Sequence, residues 1–220
     1  MQNSVHLSCK GVSGCGKSTL ATNIANALGI PMKDGDELHP KSNVDKMSRG
    51  IPLTDSDREP WLALIRKTAE TLCDRGEKDS PRGVVIACSS LKTYYREILR
   101  GRVDASHAPP PAHDIPTPIT EAKEEEIEKE LLAESATPEL RTFFVYIHGS
   151  QEVLERRMAE RKGHFMKVEM LKSQLETLQD PRAEDGVVTV NLEDSPEEQM
   201  RNALEGLKKV GFGPGVNEVS

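Results

Sequence analysis

No stretch of this 220-residue chain approaches the roughly 18 consecutive apolar residues that a membrane helix requires, so no spanning segment is expected. The opening "MQNSVHLSCKG" lacks the basic-then-apolar profile of a secretory signal and reads as the start of the fold. Basic residues do not predominate either. Lys and Arg number 29 against 36 Asp and Glu, and the net charge of −7 argues against a nucleic-acid binder, which needs a basic face. The same charge means that anionic substrates have to be attracted by local positive groups and not by the overall field. The four cysteines, Cys9, Cys15, Cys73 and Cys88, include no C-x-x-C pair. They are expected to be reduced thiols of a cytoplasmic protein, with no metal site built on them.

What is present is a regular alternation of element types. Val5, Leu7 and Cys9 alternate with polar residues and predict a short strand. Ser18 to Leu28 predicts a helix with Leu20, Ile24 and Leu28 on one face, stopped by Gly29. "IPMKD" is a second extended segment. "TDSDREPWLALIRKTAETLC" predicts a long helix capped by Asp57, with Pro60 still in its first turn. "GVVIACS", "RTFFVYIHG" and "GVVTVNL" read as strands. "LKTYYREILR", "QEVLERRMAERKG", "VEMLKSQLETLQD" and "SPEEQMRNALEGLKKV" read as helices, the last capped by Ser195 with Pro196 behind it. Such alternation predicts an α/β fold: a parallel sheet with helices on both faces, and ligands at the carboxyl ends of the strands. Residues 101–140 break the rhythm. "APPPAHDIPTP" and "EAKEEEIEKELLAE" read as a solvated surface insertion, with a docking arm for a protein partner as the alternative.

The first strand-to-helix turn, "GVSGCGKST", satisfies G-x-x-x-x-G-K-[ST]. Gly11, Gly14 and Gly16 let the backbone curl so that the N–H groups from Ser13 through Thr19, Cys15 included, can point at phosphate oxygens. Lys17 can reach the β- and γ-phosphates, Ser18 can coordinate Mg²⁺, and the helix dipole sits under the anion. ATP with Mg²⁺ is therefore the expected nucleotide. The strings N-K-x-D and D-x-x-G of a signalling GTPase are absent. "VVIACSS" ends in Cys88-Ser89-Ser90, where a motor or transport ATPase would place an aspartate. Small-molecule kinases remain. "KDGDELHP" supplies a pair of acids: Asp34 for the Mg²⁺ shell and Asp36 as the base that takes the proton of the attacking hydroxyl. Asp-Gly-Asp is also ordinary turn composition, and only its place after a phosphate loop favours the functional reading.

"GVSGCGKST", "DGDELHPKSNVDKMSRGIPLTDSDREPWL", "ACSSLKTYYREILR" and "RKGHFMKVEMLKSQLETLQDP" together resemble the gluconokinase family. The resemblance spans nearly the whole chain outside 101–140 and the last ten or so residues. It implies ATP-dependent phosphorylation of D-gluconate at its terminal hydroxyl. It also implies a nucleoside-monophosphate-kinase type of fold with a five-stranded parallel sheet, a mobile lid at about 155–180, and a homodimer. Other sugar acids or polyols are alternative acceptors, and a nucleotide-binding scaffold is the alternative of another class.

A carboxylate substrate needs cations. Arg58, Lys92 and Arg96 are the candidates, the arginine fork suiting two carboxylate oxygens. His39 is a candidate hydrogen-bonding partner, or else a cap of the following turn, and Trp61 a packing residue beside the pocket. Arg157 and Arg161, four apart on one helix face, are candidates to neutralise the transferring phosphoryl group, with His164 beyond them at the lid tip. Three positions depart from the family pattern. Cys15 stands where the loop usually carries serine, which predicts an oxidation-sensitive thiol beside the phosphates. Lys10 occupies a strand position that is normally apolar. "PRAEDG" transposes the usual acids, so Glu184 and Asp185 receive no role.

Overall fold

A computed structural model describes residues 4–74, 83–103, 140–160 and 168–212, without the side chains of 160 and 168–170. The predicted alternation is realised as β1 (Val5–Lys10), α1 (Lys17–Leu28), β2 (Met32–Asp34), a 3₁₀ turn (Gly35–Leu38), α2 (Lys41–Ser48), α3 (Asp55–Asp74), β3 (Gly83–Ala87) and α4 (Thr93–Leu99). It continues as β4 (Arg141–His148), α5 (Gln151–Glu160), α6 (Val168–Thr177), β5 (Val187–Asn191) and α7 (Pro196–Lys209). Of the insertion read at 101–140, residues 104–139 lie outside the described residues, as do 161–167 of the expected lid. Among the described residues no helix is long and apolar enough to cross a membrane.

All five strands are parallel, in the order β2-β3-β1-β4-β5. The first strand is central, so both its faces are covered and all six of its residues are buried. Val5, Leu7 and Cys9 pack with Leu20, Ile24 and Leu207 in one apolar layer. Trp61, Leu62, Ile65, Tyr95 and Phe144 form the second layer on the opposite face. The polar members of the β1 alternation turn to that second face and not to water. Ser4, His6, Ser8 and Lys10 are all buried, and their side-chain polar atoms find no hydrogen-bond partner among the described residues. A period of two therefore marks which residues share a face, and the covering helices decide whether that face is wet.

Local sequence explains the helix ends. Asp57 does not cap α3. Thr54 does: its hydroxyl accepts the Asp57 N–H at 3.3 Å, while the Asp57 carboxylate accepts the Thr54 N–H at 2.8 Å. This reciprocal pair satisfies two orphan donors. Asp57 is buried and bound by Lys46 at 2.6 Å, which ties α2 to α3. At the far end of the chain, Ser195 caps α7 as read from the sequence, and Glu198 completes a box of the same kind.

Candidate active site

The phosphate loop leaves β1 at Lys10 and enters α1 at Lys17. Gly14 is left-handed, with φ +81°, and a side chain there would come within 2.9 Å of Met158 on α5. Only glycine fits both constraints. No side chain caps α1 and no acid lies in its first turn, so its N–H groups are left to the loop. Lys17 donates from Nζ to the Val12 carbonyl at 3.0 Å, which holds the ammonium along the loop. Ser18 and Thr19 are exposed at the mouth. Cys15 is not: the thiol is 1% exposed and lies under Gly11 in the apolar layer. The expectation of an oxidisable thiol facing the phosphates is thus overturned by burial.

The two acids stand at the junction of β2 and the 3₁₀ turn: Asp34 ends the strand and caps the turn, and Asp36 lies within it. Asp34 is engaged on both oxygens, accepting the Ser18 hydroxyl at 2.6 Å and the Asp36 N–H at 3.0 Å. Asp36 carries no side-chain hydrogen bond among the described residues. Asp36 is exposed at the surface, yet the protein mass around it desolvates the carboxyl and pushes it above the ordinary range; Lys17 pulls it down and Asp34 pushes it up again. Gly35 between them cannot bear a side chain, because a Cβ would sit 2.5 Å from the Ala87 carbonyl. Trp61 donates its indole N–H to the Gly35 carbonyl at 2.8 Å. The residue read as packing thereby pins the backbone between the acids, a role with no signature in the sequence.

The acceptor side is built from α2, α3 and the β3–α4 loop. His39 stacks on Trp61 with ring centroids 4.0 Å apart. Burial, then Arg58, hold its pKa at about 4, so it is neutral near pH 7. Asn43 lies 3.3 Å from its Nδ1 and also donates to the Asp57 carbonyl. This network makes Nδ1 the acceptor and leaves Nε2–H as a donor. Arg58 donates through Nη1 to the Leu53 carbonyl at 2.6 Å and to the Tyr95 hydroxyl at 3.4 Å. Its Nε and Nη2 make no hydrogen bond among the described residues. Lys92 binds both oxygens of Asp55 at 2.7 Å, and the Tyr95 hydroxyl donates to the same carboxylate.

Arg96 does not belong with them. It is 0% exposed, and all its N–H groups are taken by Glu184, the Ser90, Leu91 and Gln179 carbonyls, and the Thr93 hydroxyl. Burial opposes the charge of Glu184, yet the bonds from Arg96 and Arg100 hold its pKa at about 2. Arg96 is a clamp on the β3–α4 loop, where Ser90 adopts φ +28°, and not a ligand for substrate. Arg157 donates to the Leu192 carbonyl at 2.8 Å, so its guanidinium lies against the β5–α7 turn. Arg161 and His164 lie outside the described residues. Sequence reasoning also passed over Gln174, whose amide makes two bonds to Ser13.

No family model matches the chain. Curated relatives and solved structures do. The chain is 35% identical over 200 residues to the thermoresistant gluconokinase of Escherichia coli (strain K12), covering 90% of this chain and 91% of that one. It is 39% identical over 187 residues to a gluconokinase of Gluconobacter oxydans (strain 621H), covering 85% and 82%. The crystal structure of a gluconokinase from Sinorhizobium meliloti 1021 superposes with a TM-score of 0.66 at 38% identity, covering 95% of this chain and 93% of that one. At this identity and coverage, on a phosphate-loop kinase sheet, the chain belongs to the gluconokinase family.

Proposed function

We propose that this protein transfers the γ-phosphoryl group of ATP to the terminal hydroxyl of D-gluconate, giving 6-phospho-D-gluconate and ADP. The observation that carries the reading is the division between the two acids. Asp34 is tied to Ser18 and the turn, whereas the Asp36 carboxylate has no partner among the described residues and lies within the influence of Lys17. That leaves one carboxylate free to accept a proton beside a loop made to hold a triphosphate.

In this reading the loop N–H groups, Lys17 and the start of α1 hold the phosphates of ATP. Ser18 and Asp34 offer a hydroxyl and a carboxylate oxygen, the hard donors that suit Mg²⁺ together with phosphate oxygens. When bound, the ion neutralises charge on the β- and γ-phosphates. Asp36 orients the terminal hydroxyl and accepts its proton. The alkoxide oxygen forms a bond to γ-phosphorus as the bond to the β,γ-bridging oxygen breaks, and ADP leaves with that electron pair. Arg58 and Lys92 receive the gluconate carboxylate, and His39 donates to a hydroxyl of the chain. Arg157 and Arg161 reach the transferring group on closure. We also propose that the protein works as a cytoplasmic homodimer, as the family resemblance implies; light scattering of the purified chain tests the dimer.

Gluconate-dependent ADP release tests the activity. Lys17→Met and Asp36→Asn are each expected to lower turnover by orders of magnitude, since transfer depends on positioned charge. A panel of sugar acids and polyols tests the acceptor. Faster turnover of another member than of gluconate would reassign it, and ATP binding without any acceptor-stimulated turnover would return the scaffold reading.

A further inference from the structure

One segment of the chain touches both halves of the candidate site. On α6, the Gln174 side chain accepts the Ser13 N–H at 2.7 Å and donates to the Ser13 hydroxyl at 3.0 Å. Five residues on, the Gln179 N–H donates to the Leu91 carbonyl at 3.0 Å, and its side-chain carbonyl accepts the Thr93 N–H at 2.7 Å. Ser13 belongs to the nucleotide loop. Leu91 and Thr93 flank Lys92 on the acceptor side. The partners lie 161 and 86 positions away in sequence, so these contacts exist only in the folded site. A glutamine amide carries both an acceptor and donors, which is what a residue needs to hold a backbone N–H and a hydroxyl together. Further along the same segment, Glu184 fixes Arg96, the clamp of the β3–α4 loop. Helix α5 rests on the nucleotide loop next door, through Met158 against Gly14.

We infer that Gln174 and Gln179 are positioning residues that hold the nucleotide loop and the acceptor loop at a fixed spacing, Gln174 serving ATP and Gln179 serving the acceptor. The inference rests on the functional reading above. In-line transfer requires reacting atoms about 3–3.5 Å apart, so a small shift of either loop has a kinetic cost. Each glutamine is tied mainly to one loop, and therefore each loss falls on one substrate.

The test is steady-state kinetics of Gln174→Ala and Gln179→Ala in the full chain, with calorimetric titration of ATP into the same variants. Gln174→Ala loses two bonds, and its KM and Kd for ATP are expected to rise about tenfold, with KM for gluconate within about twofold. Gln179→Ala loses one, and its KM for gluconate is expected to rise about fivefold, with ATP affinity within about twofold. In a cycle with Ser13→Ala, the double variant should be less impaired than the sum of the singles. If both KM values moved together in both variants while melting temperatures fell, the glutamines would be ordinary structural contacts and the inference would be lost. Unchanged calorimetric affinity for ATP in Gln174→Ala would overturn it whatever the turnover. A parent chain that binds ATP but does not phosphorylate gluconate would instead overturn the functional reading, leaving the Gln174 arm to be decided by calorimetry.

Discussion

Replacing Lys10 by methionine should stabilise the protein, and more so at neutral than at alkaline pH. Lys10 ends β1, is 0% exposed, and its ammonium has no hydrogen-bond partner among the described residues. Its ammonium sits over the Tyr146 ring, 4.6 Å from the centroid. Burial, then Arg96, lower its pKa from 10.5 to about 7, with Glu184, Cys88 and Asp180 pulling the other way. Between those values the unfolded chain binds a proton that the folded chain does not, so stability falls as pH drops from 10.5 to 7 and stays low below. The two pKa values place the linkage penalty at about 4 kcal/mol at pH 7 and about 1 kcal/mol at pH 9.5. A cation–π contact returns up to about 2 kcal/mol of this while the amine is charged. Methionine fills nearly the same volume without a charge. Urea unfolding of parent and Lys10→Met should therefore show the variant about 2–4 kcal/mol more stable at pH 7, and the gap should narrow by about 1–3 kcal/mol at pH 9.5. A variant that is less stable, or a gap that ignores pH, would refute the reasoning, because it would mean that the amine is solvated or paired in the fold.

His6, fully buried beside Val84, has its pKa pushed from 6.5 to about 3 by burial and then by Arg66. Its folded form stays neutral while the unfolded chain gains a proton, so stability is lost as pH falls from about 6.5 toward 3. The stability gap between His6→Leu and the parent should widen by about 1.4 kcal/mol per pH unit over that range, measured by urea unfolding. Arg96→Ala leaves the Ser90 and Gln179 carbonyls without their donor and Glu184 with Arg100 alone of its two arginines, and should cost about 2–4 kcal/mol of stability in the same assay. Arg58→Gln should leave the fold and the KM for ATP intact while raising KM for gluconate about 10–100-fold, the loss of charge-assisted bonds to a carboxylate. Peroxide should inactivate the parent and Cys15→Ser at equal rates in a timed activity assay, because the thiol is enclosed in the apolar layer.

Much of the fold was legible because its signals are local. The phosphate loop is a contiguous string, the buried strands are apolar runs, and Ser195 with Pro196 announces the start of α7. Helix α2 was not foreseen. "KSNVDKMS" offers no apolar stripe; the residue it buries is Asn43, and Val44 is 42% exposed. That helix is held by polar bonds from Asn43 and Lys46 to Asp57, which periodicity does not register. The polar face of β1 was misleading for a related reason, since alternation reports direction and not solvent. In the site, the spacing of Asp34 and Asp36 was visible, but which of them is occupied was not. Trp61 and Gln174 act on backbone groups 26 and 161 positions away, and nothing in their own sequence neighbourhood marks it.

The cations of the acceptor side show most clearly what spacing cannot decide. Lys92 and Arg96 stand four apart on "LKTYYRE" and look equivalent in sequence, yet their availability differs by several kcal/mol. Withdrawing Arg96 from its clamp would leave the Ser90 and Gln179 carbonyls without a donor and take one of two arginines from Glu184, at about 2–4 kcal/mol, more than one new carboxylate bond returns. The Lys92–Asp55 pair is partly exposed, and such pairs are worth about 0–1 kcal/mol, so an incoming carboxylate can replace Asp55 at little cost. Arg58 needs no exchange at all: Leu53 and Tyr95 fix Nη1, and the adjacent Nε and Nη2 donors match the two oxygens of a carboxylate. The negative overall charge of the chain is thus met by a few positive groups whose cost of release is set by burial.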